Sequence, residues 1–474
     1  MGSPVVFWVP ALLVAWAQAG AAWGAVVNST SADRKTVAVT VYNDGRGLVR
    51  EERRVTLPAG TAELRFMDVA EKIEAATVKV SVLEGAGAAV LEQNYEYDLL
   101  SPEKLLEKFV GQTLTLVQQK LKDNSTLEEE TPARLLSTNN GTVWEMNGRI
   151  VTNPAYARIL FPSVPENLIA KPTLVWLVDS SGSGMRTLET AYLTGGLSWR
   201  ADYVLALEPS EEKAGLQGWV TIDNQSGAGY ANALLKLVAG DVHRAPEEER
   251  VALDTAVKAM RAQPGAMREE AFFEYHLYTL PRPTTLKQNQ TKQLQLLDAP
   301  SIGLGKEYVL RGGGGYFRGP WRRSDPREKV QVFLRFENAQ AAGLGLPLPK
   351  GIVRVYKRDK VGSPQFIGED RIEHTPKDEE IRLELGNAFD LSAERRQTDF
   401  SRIADNLFES AYEIKLRNHK DVPVTVRVIE PVGGDWTMLQ NSLPFKKTAA
   451  FEVEFQVPVA PDQEAVLSYR VRVR

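Results

Sequence analysis

Tyr412-Glu413-Ile414-Lys415-Leu416-Arg417, Pro423-Val424-Thr425-Val426-Arg427-Val428, Phe451-Glu452-Val453-Glu454-Phe455 and Leu467-Ser468-Tyr469-Arg470-Val471-Arg472-Val473 close the chain, and their rhythm decides the fold. Apolar and polar residues alternate one by one, the period of a strand with one face buried and the other wet. Asn418-His419-Lys420-Asp421 and Gly433-Gly434-Asp435 fall between these runs and read as turns.

The same grammar runs upstream. Val37–Tyr42 is a strand followed by the tight-turn signal Asn43-Asp44-Gly45, and Val49–Leu57, Ala62–Phe66, Thr77–Leu83 and Val90–Tyr97 continue the series. Leu174–Val178, an unbroken apolar run, reads as a strand buried on both faces. Leu188–Leu193, Trp199–Leu207, Gly218–Ile222 and Leu235–Val238 follow. The expected fold is mainly β, built from several antiparallel, Ig-like β-sandwiches.

Two stretches break the rhythm. Ser101-Pro102-Glu103-Lys104-Leu105-Leu106-Glu107-Lys108-Phe109 has a good N-cap in Ser101 and a proline suited to the first helical position. Small strands follow (Thr113–Gln118, Ala133–Ser137, Val143–Asn147, Arg149–Val151), so residues 98–165 read as a small SH3-like or Sm-like barrel inserted in the larger domain. The second break, Glu247–Arg261, carries Val251, Ala252, Thr255 and Ala259 among charges and ends at Pro264-Gly265, as one exposed helix would. The expected organisation is a leader at 1–24, N-terminal sandwich strands at 25–97, the insertion at 98–165, a central sandwich at 166–245, a helical linker at 246–271 and a C-terminal sandwich region at 272–474.

Composition narrows the chemistry. A chain of 474 residues is too long for a single core. It holds 61 acidic against 57 basic side chains, which gives no electrostatic case for nucleic acid. Cysteine is absent, so disulfides, thiolate nucleophiles, Cys-ligated zinc and iron–sulfur clusters are excluded. Val5–Ala17 is almost wholly apolar and is followed by Ala17-Gln18-Ala19, an A-x-A cleavage pattern, with a later cut near Gly24 as an alternative. The run is short for a membrane span and reads as the core of a signal peptide, although no Lys or Arg precedes it; the competing reading is an uncleaved anchor. No later segment is long and apolar enough for a transmembrane helix. The expectation is a mature protein that is periplasmic or secreted.

Several longer blocks resemble a known family: Asp98-Leu99-Leu100-Ser101-Pro102-Glu103-Lys104-Leu105-Leu106, Leu193-Thr194-Gly195-Gly196-Leu197-Ser198-Trp199-Arg200-Ala201-Asp202-Tyr203, Lys236–Val242, Leu280–Leu286, Gly343–Gly351 and Gly433-Gly434-Asp435-Trp436. They are similar to the bacterial domain-of-unknown-function 4139 family across nearly all of the mature chain. The resemblance implies an exported bacterial protein and brings no catalytic residues with it.

For contact with a ligand, the strongest candidate is Gly312-Gly313-Gly314-Gly315-Tyr316-Phe317-Arg318-Gly319-Pro320-Trp321-Arg322-Arg323. Its glycines allow a flexible loop, Tyr316, Phe317 and Trp321 offer stacking faces, and Arg318, Arg322 and Arg323 offer bidentate anion contacts. A glycan, a lipid headgroup or an envelope protein is a suitable partner for such a loop; the plainer alternative is a hairpin tip whose aromatics pack back on the sandwich. It lacks the Gly-Lys-Ser/Thr end of a phosphate loop.

Glu369, Asp370 and His374 would bind a cation only if a turn gathered them, because strand neighbours point to opposite faces. Asp241 and His243 with Ser198 or Ser226 make a weak triad, since Gly196-Leu197-Ser198-Trp199-Arg200 lacks the last glycine of a nucleophile elbow. Trp199, Arg200, Asp202 and Tyr203 read either as a core tryptophan beside a surface ion pair or as a carbohydrate platform. No cofactor, metal or catalytic residue is expected. The expected role is non-catalytic binding or scaffolding, with a carboxylate-dependent hydrolase of envelope polymers as the alternative, which needs an acidic pair about 5–10 Å apart facing a cleft.

Overall fold

Alternation in the last strands becomes burial in the computed structural model, which describes residues 25–85, 87–122, 125–165, 168–240, 267–313, 315–321 and 327–474. Tyr412, Ile414 and Leu416 are buried, as are Val424, Val426 and Val428 and then Leu467, Tyr469, Val471 and Val473, while the residues between them are half-buried or exposed. These side chains form one core, joined by Val453, Phe455 and Val457. The protein is mainly β with several sheets and, among the described residues, no closed barrel and one α-helix, Pro102–Lys108.

The chain divides into two units, residues 1–37 with 50–192 and residues 38–49 with 193–474. In the second unit a nine-stranded sheet runs in the order Trp436–Asn441, Glu464–Val473, Leu407–Asn418, Glu380–Ala404, Arg327–Glu337, Gly305–Arg311, Val424–Pro431, Glu452–Val459 and Phe445–Ala449. All of its pairings are antiparallel except that of Gly305–Arg311 with Val424–Pro431. Glu380–Ala404 is a 25-residue strand, far longer than the Glu380–Leu385 segment that alternation marks. Irregular pairing with Arg327–Glu337 explains where alternation stops, because the register shifts between Glu384 and Ser392 and breaks the period of two just after Leu385; further bulges follow at Gln397/Asp399 and Arg402/Ala404.

A five-stranded sheet in the same unit has the order Gln290–Gly303, Lys213–Asn224, Leu197–Leu207, Gly351–Arg358 and Pro364–Ile372. Leu197, Trp199, Ala201, Tyr203, Leu205 and Leu207 all point to its buried face. Gly351 opens the parallel pairing with Leu197–Leu207 at Ala201, where a Cβ would strike the Ala201 carbonyl. Two lysines, Lys306 and Lys357, close on Glu211 in the turn before Lys213. Burial pushes the Glu211 carboxyl up, but the hydrogen bonds from Lys306 and Lys357 outweigh it and bring it down to about 2. Its folded pKa thus lies below the ordinary 4.5, so its contribution is present above that value and is lost as pH falls toward 2. Glu211→Gln should therefore lower the melting temperature at pH 7 and leave it unchanged near pH 2; a gap that persists at low pH would refute this account.

Tyr230–Ala239 pairs in parallel with Ala38–Tyr42 and antiparallel with Tyr275–Thr279. Arg268–Phe272 then pairs with Tyr275–Thr279 across a turn at Phe273-Glu274. Residues 268–271, the end of the linker expected at 246–271, are strand and lie beyond the helix expected at Glu247–Arg261. Residues 246–266 of that expectation lie outside the described residues, as does the leader at 1–24.

In the first unit, Ala25–Ser29, Gly60–Met67, Thr173–Ser180 and Ala88–Glu96 form a four-stranded sheet in that order. Thr173–Ser180 is thus an inner strand, with Trp176 fully buried against Phe66 at 5.0 Å between ring centroids. Both faces of that strand are covered, which accounts for its unbroken apolar run. The central sandwich expected at 166–245 is therefore divided: its first strand completes the N-terminal sheet, and Leu197–Leu207 onward belongs to the second unit. Strands pair by complementary burial, and adjacency along the chain does not decide it.

The insertion at 98–165 has its own sheet and core. Ser101 Oγ accepts from the Lys104 amide at 3.2 Å and caps the helix Pro102–Lys108. The sheet order is Arg149–Thr152, Val143–Met146, Ser125–Ser137, Thr113–Lys122 and Arg158–Leu160. The last strand returns to pair with the first, as in a small barrel, but the sheet stays open. Its outer strands have four and three residues, too few to bridge the gap and close a barrel. Phe109, Leu114, Leu116, Ala133, Leu135 and Trp144 fill the inside.

Candidate functional site: one end of the C-terminal sheet

The glycine-rich loop is anchored before it can reach outward. Gly312 N donates to Ile429 O at 2.8 Å, and Tyr316–Arg318 forms one 3-10 turn. Tyr316 and Phe317 are 7 % and 2 % exposed. Their rings meet Tyr412 at 4.9 and 5.5 Å, and the half-buried Trp321 meets the same ring at 6.3 Å. The backbone is tied down as well: Tyr412 Oη donates to Tyr316 O at 2.8 Å, Ser410 Oγ to Phe317 O at 2.9 Å, and Trp321 N to Gln397 Oε1 at 2.6 Å. Tyr316 and Phe317 are therefore core residues, which corrects their assignment as a binding surface. Hydrophobic burial outweighs glycine's freedom here, since each ring hides far more apolar area than the loop gains by staying open. Arg318 remains exposed and donates to Arg474 O at 3.2 Å. Arg322 and Arg323 lie outside the described residues.

Beneath the loop lies a polar cluster that sequence reading missed. Arg395 and Glu430 are buried and paired, Tyr316 Oη donates to Glu430, and Arg395 also reaches Tyr316 Oη at 3.1 Å and both Glu328 carboxylate oxygens at 3.1 Å. A Cβ on Gly312 would collide with the Glu430 carboxylate and the Tyr316 hydroxyl, so the glycine is needed for close approach. Burial raises the Glu430 carboxyl above its ordinary range, opposed by Arg395 and the Tyr316 hydroxyl; burial likewise raises the Tyr316 phenol, keeping it a donor. A signal for both residues was present: Arg395 continues the inward phase of Leu391 and Ala393, and Glu430 that of Val426 and Val428. A charge in the apolar phase of a strand is a buried charge that needs a partner.

Beside the loop, where several strands of the sheet end, a cleft of about 520 Å³ opens. Trp436 and Phe451 supply its aromatic surface, Lys447, Arg472 and Arg474 its cations, and Asp435 a carboxylate. Each is placed by the sandwich. Gly434, at φ 89°, turns the chain after Val424–Pro431 so that Asp435 and Trp436 face the cleft, and Arg318 abuts that glycine. Trp436 Nε1 donates to Ala450 O at 3.1 Å, and the Lys447 ammonium lies 5.1 Å from the indole centroid. Arg472 is oriented by Glu409, which accepts from its Nε at 2.9 Å and its Nη2 at 2.6 Å. Among the described residues Lys447 has no ion-pair partner, and Phe451 is 58 % exposed. Arg318 is thus the described loop arginine that approaches the cleft, as a neighbour of its rim.

The other candidates are dispersed. Glu369 pairs with Arg354, both Asp370 oxygens accept backbone amides, and His374 Nδ1 accepts from the Lys350 amide, so the three do not converge. Among the described residues no group of three or more His, Asp or Glu is placed to hold a metal ion. Ser226 is buried and spends its hydroxyl on Asn224 Oδ1 at 2.8 Å and Tyr230 Oη at 2.9 Å. Asp241 and His243 lie outside the described residues. Trp199 and Tyr203 are core side chains bonded to backbone carbonyls, while Arg200 pairs with Asp223 at 3.1 Å and with Asp202 at 3.5 Å. That cluster is a core tryptophan beside a surface ion pair. No helix among the described residues is long and apolar enough to cross a membrane.

No protein-family model and no curated protein matches this chain.

Proposed function

We propose that the chain is an exported, non-catalytic protein of the bacterial cell envelope that binds or scaffolds through the cleft at the end of its C-terminal sheet. The cleft carries the reading: aromatic and cationic side chains converge there, and Lys447 is not engaged by a carboxylate among the described residues. The buried Arg395–Glu430–Tyr316 cluster supports it by tying the Tyr316–Arg318 turn to the core beside the cleft. The apolar Val5–Ala17 leader and the sequence blocks similar to the domain-of-unknown-function 4139 family support export. A hydrolase of envelope polymers would need two carboxylates across the cleft, and the side chains lining it include a single one, Asp435.

The test is crosslinking of the mature protein in envelope fractions, comparing the native chain with Lys447→Glu. The native chain should yield discrete envelope adducts that the charge reversal depletes by about tenfold, the effect of turning a contact of about 1.4 kcal/mol into a repulsion. Adducts unaffected by the substitution, or a mature protein recovered only from cytoplasm, would sink the proposal.

A further inference from the structure

We propose that the ligand of this cleft is a saccharide bearing a carboxylate, of the uronic-acid class; this rests on the binding role argued above and gives it a chemical identity. Charge is the first argument. The cations Lys447, Arg472 and Arg474 stand against the carboxylates of Asp435 and Glu409, which leaves the side chains a small positive excess. A singly charged repeating unit suits that balance. A phosphomonoester would bring nearly two negative charges against Asp435, which sits in the lining itself.

The mixture of donors and acceptors is the second argument. Arg472 is held by Glu409 through Nε and Nη2, which fixes the plane of the guanidinium and leaves Nη1 free of Glu409. A guanidinium set in this way, with a lysine nearby, matches a carboxylate. Asp435 is an acceptor with no such use for an anion, but it is well suited to sugar hydroxyls, which donate. A ligand that needs both in one small cleft carries hydroxyls and a carboxylate together.

Aromatic surface is the third argument. Phe451 is 58 % exposed on the cleft, and Trp436 presents a half-buried indole beside it. The C–H face of a pyranose packs on such rings while its equatorial groups reach the polar rim. An acidic peptide would satisfy the cations, but it would leave the pairing of Asp435 with a donor to chance and gain less from a single exposed ring.

The test uses the full mature chain and isothermal titration with three probes: an oligogalacturonate, the neutral glucose oligomer of equal length, and a glutamate hexapeptide. The oligogalacturonate should bind at least about tenfold more tightly than either of the others, the discrimination expected for one charge-assisted contact. Lys447→Glu should weaken it about tenfold or more, and Phe451→Ser should weaken the uronate without making the neutral sugar preferred. Both positions are exposed, and an unchanged melting temperature for each variant establishes that loss of binding is not loss of fold. Equal binding of charged and neutral sugars, tighter binding of the peptide, no binding of the oligogalacturonate, or full binding by Lys447→Glu would each overturn the assignment. If the oligogalacturonate fails while Lys447-dependent envelope adducts persist, the binding role survives and the saccharide class does not.

Discussion

Arg395→Met is expected to destabilise the second unit by about 3–5 kcal/mol, because it strands a carboxylate in the core. Glu430 is fully buried and has Arg395 and the Tyr316 hydroxyl as its partners. Methionine fills much of the arginine's volume, so the loss is electrostatic rather than a cavity. The double variant Arg395→Met/Glu430→Leu removes the charge that was stranded, and it should be more stable than Arg395→Met alone. Thermal or denaturant unfolding of the two single variants and the double variant measures the coupling. A cost below about 1 kcal/mol for Arg395→Met, or a double variant that simply adds the two single costs, would show that the pair is not coupled as described. The same substitution should loosen Tyr316–Arg318, since Tyr316 is bound to both members of the pair.

Trp144→Ala should remove about 3–5 kcal/mol from the inserted module at 98–165, the cost of a large cavity in a core that cannot collapse around it. That core has six buried side chains, of which Trp144, at 0 % exposure, is the largest. An open five-stranded sheet has few other apolar contacts to draw on. Amide exchange across Thr113–Lys122 and Val143–Met146 should therefore approach the unprotected rate, while Leu407–Asn418 in the other unit keeps its protection. Trp144→Phe should be much milder: the indole N–H is buried without a hydrogen-bond partner among the described residues, and its removal offsets part of the lost volume. Unchanged exchange in the alanine variant would mean that the module is held by something other than this core.

How far the sequence could be read depended on whether a feature was local. The strands that close the chain were legible because inward and outward positions alternate without interruption from Tyr412 to Arg417 and from Leu467 to Val473. The helix after Ser101 was legible because its cap, its proline and its apolar stripe lie within nine residues. Glu380–Ala404 was legible only at its start, since its pairing becomes irregular between Glu384 and Ser392 and breaks the period that identifies a strand. The candidate site was less accessible. Arg318, Tyr316 and Trp321 drew attention as a loop, yet Tyr316 and Trp321 are set by Tyr412, Gln397 and Glu430 and Arg318 by Arg474, all distant in the chain. Trp436, Lys447, Phe451 and Arg472 carried no shared motif, and they meet because separate strands end at the same edge.

Composition and periodicity were enough for a β architecture, for the exclusion of thiol and Cys–metal chemistry, and for the positions of most strands, since each follows from residue identity and the geometry of an extended backbone. Partner choice was not contained in them. Thr173–Ser180 joined the N-terminal sheet, and the aromatic loop turned inward onto Tyr412, because burial of apolar surface rewards whichever faces fit, wherever they stand in the chain. A strand declares its own period locally, but its neighbours and the cleft at its end exist only after long-range packing has brought them together.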